Sequence, residues 1–139
     1  MALTDNLIAF WELEEASGTR NDAHGSNHLT DNNTVAQGTG KVGNCADFEL
    51  DNSEYLSIAD NAALSVGDED FTIQAWFNIE ANPGFRQGIV GKSSGGADGY
   101  WLKWEPSYVA GQHRVVWYLG VVRMRRLMRR RCLWGRGIT

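Results

Sequence analysis

The sequence predicts an all-β fold, a two-sheet antiparallel β-sandwich, on three observations. The first is the stretch from Asp70 to Ile79. Phe71, Ile73, Ala75, Phe77 and Ile79 fall on one side of an extended chain, and Thr72, Gln74, Trp76 and Asn78 on the other. This period-two alternation of β-branched and aromatic residues opposes a helix and fits a half-buried pleated surface. The second is the many short apolar runs separated by Gly, Asn, Asp and Ser, with 16 Gly and only 2 Pro. The third is a heavy aromatic load of 6 Trp, 4 Tyr and 5 Phe, with no repeat and no long helical pattern in 1–120. A chain of 139 residues is long enough for one domain with a real core.

In order along the chain, Leu7 to Leu13 reads as the first strand, with Leu7, Ala9, Trp11 and Leu13 on one face. Glu14 to Asn33 reads as a polar connection with Leu29 marking a short strand or an anchor within it, because Gly, Asn, Asp and Ser favour turns. Gly38 to Gly43 is a bend. Cys45 to Leu50 is the next strand, with Ala46, Phe48 and Leu50 inward, and Tyr55 to Ile58 follows after the turn at 51–53. Asp60 is placed to cap a single helical turn ending at Ser65. The stretch 70–79 is the central strand, with Phe71, Ile73, Ala75 and Phe77 expected inside. Asn82-Pro83-Gly84 is a turn signal. Gly88 to Lys92, Tyr100 to Trp104 and Val115 to Leu119 are three further strands, the last two paired through a loop near Gly111.

Charge divides the chain. All 17 acidic residues lie in 1–120 with six of the 13 basic ones, whereas 121–139 holds seven Arg and no acid. The acidic body excludes nucleic acid as its partner. The tail, with Val121, Met124, Leu127, Met128 and Cys132 near one helical face, reads in isolation as a basic amphipathic segment. No apolar run approaches the roughly 20 residues of a membrane span. No signal peptide is visible at the N-terminus. Cys45 and Cys132 allow one disulfide at most.

The run Leu7-Ile8-Ala9-Phe10-Trp11-Glu12-Leu13-Glu14-Glu15 is followed in order by Ser17-Gly18, Asp22, Gly25, Gly40-Lys41-Val42-Gly43-Asn44, Ala46-Asp47-Phe48, Tyr55-Leu56, Phe71-Thr72-Ile73-Gln74-Ala75-Trp76 and Ile89-Val90-Gly91-Lys92. Together these pieces resemble the opening of a laminin-G-like jelly roll of the concanavalin A-like lectin/glucanase superfamily, over about Leu3 to Lys103. The resemblance implies two stacked antiparallel sheets and a non-catalytic adhesive or sugar-binding module of an extracellular or virion protein. Such domains continue with a Trp-His-containing strand, an Asn-Gly hairpin and a final strand bearing an acidic residue, none of which is present here. The sequence is therefore expected to hold a truncated domain in 1–120. The tail 121–139 has the Arg, Met, Leu and Trp bias of a coding sequence read out of frame.

The candidate sites follow from residue chemistry. Trp76, Trp101, Trp104, Tyr108, Trp117 and Tyr118 are aromatic platforms on which a sugar's C–H face can stack. Gln74 and Asn78 flank Trp76 and offer amides to its hydroxyls. The expected ligand contacts are Trp76, Gln74, Asn78, Trp101 and Tyr108. Asp22, Asn27 and Asp31, in a Gly- and Asn-rich loop, are the candidate ligands of a structural Ca²⁺, which takes six to eight oxygens and which the resembled family often carries. Asp47, Glu49 and Asp51 alternate as the carboxylates of a glucanase strand do, but in the order Asp-x-Glu-x-Asp rather than Glu-x-Asp-x-Glu. A solvated strand face is the simpler reading. His24, His28 and His113 are too scattered for a zinc site. Gly95 to Gly99 precedes no helix and is a connector rather than a phosphate loop. Asn32-Asn33-Thr34 is a glycosylation sequon in a secretory pathway.

The sequence is thus read as a non-catalytic binding module for a glycan or another surface ligand, extracellular or virion-associated. Open sheet edges are expected to allow homo-oligomers. The competing classes are a glucanase-like hydrolase and a structural domain without a ligand.

Overall fold

The computed structural model describes residues 4–67, 69–80, 84–93, 99–106 and 113–120. The turn residues Asn82 and Pro83, the Gly95–Asp98 connector, Tyr108, the Gly111 loop and the tail 121–139 lie outside them. The described chain is all-β with antiparallel pairing throughout. It divides into two compact units, Met1–Asn78 and Ile79–Thr139.

In the first unit β1 (Thr30–Asn32) pairs with β4 (Tyr55–Ser57), and β2 (Ala36–Thr39) pairs with β3 (Asn44–Asp47). The β2–β3 hairpin closes at Gly40 to Gly43, where the Gly40 N–H donates to the Gly43 carbonyl at 3.0 Å. Single bridges join Trp11 to Asp22 and Arg20 to Leu29. A 3₁₀ turn, Ala62–Leu64, is capped by the Asn61 side chain, which accepts from the Ala63 N–H. The cap is therefore Asn61 and not the preceding Asp60; either side chain suits the position, and the local sequence does not choose between them.

Three strand expectations need correction here. Leu7 to Leu13 keeps its alternation, with 7, 9, 11 and 13 half-buried and 8, 10 and 12 exposed, but forms one bridge and no ladder. Leu13 itself adopts a positive φ of 60°. The strand begun near Cys45 stops at Asp47, and Phe48 and Leu50 are exposed rather than inward. Asp70 to Ile79 forms neither helix nor strand and enters no sheet among the described residues. Phe71, Ile73 and Ile79 are half-buried, whereas Ala75 and Phe77 are exposed with Gln74 and Asn78. Alternation records which side of a strand is apolar. It does not supply the neighbour whose N–H and C=O groups complete a ladder.

The buried side chains of the first unit are mostly polar. Val35 is fully buried with Arg20, and Asp22 and Asn27 are nearly so. The Arg20 guanidinium donates to the carbonyls of Gly18 (2.6 Å) and Val35 (2.8 Å) and lies 3.9 Å from the Asp31 carboxylate. These contacts satisfy the two terminal nitrogens, as a buried charge requires, while Arg20 Nε is buried without a hydrogen-bond partner among the described residues.

The second unit carries the sheet β5 (Gln87–Ser93), β6 (Gly99–Pro106) and β7 (His113–Leu119), in that spatial order. All three contain the strands expected from sequence and extend them by one or two residues at one or both ends. A register shift between Gly88 and Val90 marks a bulge in β5. β6 pairs in unbroken register from Tyr100↔Leu119 to Pro106↔His113. One face carries Tyr100, Leu102 and Trp104 of β6 beside Trp117 and Val115 of β7, with Tyr100 stacked on Trp117 at 6.1 Å and Trp104 tilted on His113 at 5.1 Å. The other face carries Trp101, Lys103 and Glu105 beside Tyr118, Val116 and Arg114.

Candidate binding surfaces

Trp76 is the most exposed large aromatic of the described residues, at 89 % of its full area. It lies between Gln74 and Asn78, two positions away on either side, and both are exposed. A strand conformation here would point these three side chains to the same side. An indole ring with an amide before and after it can stack on a sugar ring while the amides bond its hydroxyls. Tryptophan is buried on average, so an almost bare ring is an informative exception.

Trp101 lies in the other unit, on β6, and is 36 % exposed. The Lys103 ammonium sits 4.7 Å from the Trp101 ring centre and 5.2 Å from that of Tyr118. Both distances are within cation–π range. Trp101 reaches across Gly91, its partner on β5, and a Cβ at Gly91 would overlap the ring. Glycine is required there by this close approach.

Further along the same face, Glu105 is buried and gathers three donors. Its Oε1 accepts from the Tyr118 hydroxyl and pairs with Arg86 Nε at 2.6 Å; its Oε2 accepts from Arg114 Nε (3.1 Å) and Nη2 (2.9 Å). The Tyr118 hydroxyl lowers the Glu105 pKa most. Burial opposes it, and the Arg114 hydrogen bond and the Arg86 and Arg114 charges add to the lowering. The same hydrogen bond raises Tyr118. The sequence reading missed this network. Lys103 and Glu105 alternate on β6, which places them on one face, but Arg114 and Tyr118 join them only once the β6–β7 register is known.

The three candidate calcium ligands form two clusters. Asp22 and Asn27 stand together: Asp22 Oδ1 accepts from the backbone N–H of Phe10 (2.9 Å) and His24 (3.0 Å), and Oδ2 from the Asn27 N–H (3.1 Å) and Nδ2 (3.2 Å). Burial pushes the Asp22 carboxyl up, but the N–H groups of Phe10, His24, Gly25 and Asn27 outweigh it and hold the group far below the usual carboxylate range. Asn27 Oδ1 accepts from Asn61 Nδ2 at 2.6 Å, and its carbonyl from Trp11 Nε1 at 2.7 Å. Asp31 stands apart, accepting from the Val35 N–H (2.9 Å) and the Gly18 N–H (3.1 Å) beside Arg20. Each of these side-chain oxygens is already met by an N–H donor, and Asp31 also faces a guanidinium. The arrangement as folded does not fit a Ca²⁺ centre. Among the described residues no three His, Cys, Asp or Glu side chains form a metal-holding group.

The alternating carboxylates are also separated. Asp47 ends β3, Glu49 is exposed beyond it, and Asp51 lies in a turn, so no strand aligns them on one face. His28 Nδ1 accepts from the Asp22 N–H at 3.1 Å and serves the loop. No helix of the described residues is long and apolar enough to cross a membrane. Comparison with family models, with curated proteins and with solved structures found no match to this chain.

Proposed function

We propose that this chain is a non-catalytic binding module that recognises a glycan or another cell-surface ligand, within an extracellular or virion protein. Its proposed parent architecture is the two-sheet jelly roll of the laminin-G-like type. The observation that carries the reading is Trp76, an indole left 89 % in water between two exposed amide side chains. Leaving such a ring bare forgoes roughly 2–3 kcal/mol of burial, which a stacked ligand recovers. Trp101 and Tyr118, with Lys103 held over both rings, form a second aromatic surface in the other unit. A glucanase reading lacks comparable support, because Asp47, Glu49 and Asp51 do not share a strand.

A glycan array probed with the wild type and with Trp76→Ala tests the proposal. Selective binding that the substitution reduces tenfold or more supports it. An empty array, or hydrolysis of a laminarin-type substrate lost in Glu49→Gln, contradicts it.

A further inference from the structure

Thr72 to Ile79 has a strand's sequence and no strand partner among the described residues. Among the described residues these amides and carbonyls make no backbone hydrogen bond, and Gln74 to Asn78 are all exposed. A row of unmet donors and acceptors is a template for another strand. The sequence also fits itself in reverse. An antiparallel pair centred on Ala75 sets Ile73 against Phe77 and Phe71 against Ile79, each twice. On its other face it sets Gln74 against Trp76 and Thr72 against Asn78. Aromatic residues then oppose β-branched ones at every apolar position but the small central Ala75, a favoured cross-strand pairing. No charge lies within the paired stretch. Asp70 opposes Glu80 just beyond it, and two such like-charge contacts limit the ladder at its ends.

We propose that two copies of this chain associate through Thr72–Asn78 as an isologous antiparallel ribbon with its two-fold axis at Ala75. Each copy supplies the ladder the other lacks, which is the self-complementarity a two-fold interface requires. The proposal does not depend on a glycan, although the ribbon sets two Trp76 side chains on one face.

The test is disulfide trapping in the full chain with Cys45→Ser and Cys132→Ser. At the axis the two Ala75 Cα atoms stand about 4.5–5.5 Å apart, within disulfide reach. The two Thr72 Cα atoms are separated by about 20 Å of strand. Ala75→Cys is expected to give a covalent dimer under mild oxidation, and Thr72→Cys is not. Sedimentation velocity on the reduced protein adds an independent arm. Glu80→Lys turns two repulsive contacts into attractive ones and tightens self-association about tenfold. Trapping that is absent at 75 or equal at 72 and 75, a strict monomer at the highest soluble concentration, or no tightening by Glu80→Lys overturns the proposal.

Discussion

Asp22 shows how a single side chain can organise a loop. Its two oxygens tie the N-terminal segment, through Phe10, to the turn that runs to Asn27. Removing the acceptor strands buried N–H groups, so Asp22→Ala is expected to cost about 2–3 kcal/mol in a urea melt at pH 7. Because the carboxyl titrates lower folded than unfolded, its contribution is complete above about pH 4 and fades as the pH falls further. The melting midpoint of the wild type should therefore decline below pH 4, and that of Asp22→Ala should decline less. Glu105 follows the same sign, whereas Tyr118, raised in the fold, contributes below about pH 10 and loses its part as the pH rises further. Tyr118→Phe should remove that alkaline loss, as read by melts between pH 8 and 11.

At the scale of elements, the contrast is between β6 and the stretch 70–79. Both alternate, but β6 has a partner on either side and the stretch has none among the described residues. Hydrogen exchange at low protein concentration should find the Thr72 to Asn78 amides unprotected and those of Trp101 to Trp104 slow. Gly91→Ala should push Trp101 off β5 and lower stability by about 1–3 kcal/mol, with a shift in tryptophan emission. The three strands of the second unit were legible because each is a local run of β-formers bounded by turn residues. The N-terminal run was legible in its apolar side and the 70–79 stretch only at Phe71, Ile73 and Ile79, and neither was legible in its pairing, since a ladder depends on residues far along the chain. The buried Arg20 and Glu105 left no local mark at all. Their burial arises from register and from the carbonyls and carboxylates that converge on them. Of the candidate site, the exposure of Trp76 was within reach of the pattern, which set it on the polar side. The division of Asp22 and Asn27 from Asp31 was not, because loop geometry decides which N–H reaches which oxygen.

For the whole molecule, two units each present an aromatic surface, one polar-flanked around Trp76 and one charged around Lys103. An acidic body with few basic residues outside 121–139 suits a neutral or surface-bound ligand better than a polyanion. The central claim is that the bare indole of Trp76 is the contact. Its most direct test is an equilibrium titration of a glycan selected on the array against the wild type and Trp76→Ala, each first shown to melt at the same temperature. The account predicts that Trp76→Ala weakens binding at least tenfold while the fold is unchanged. Equal affinity in the two proteins would contradict it.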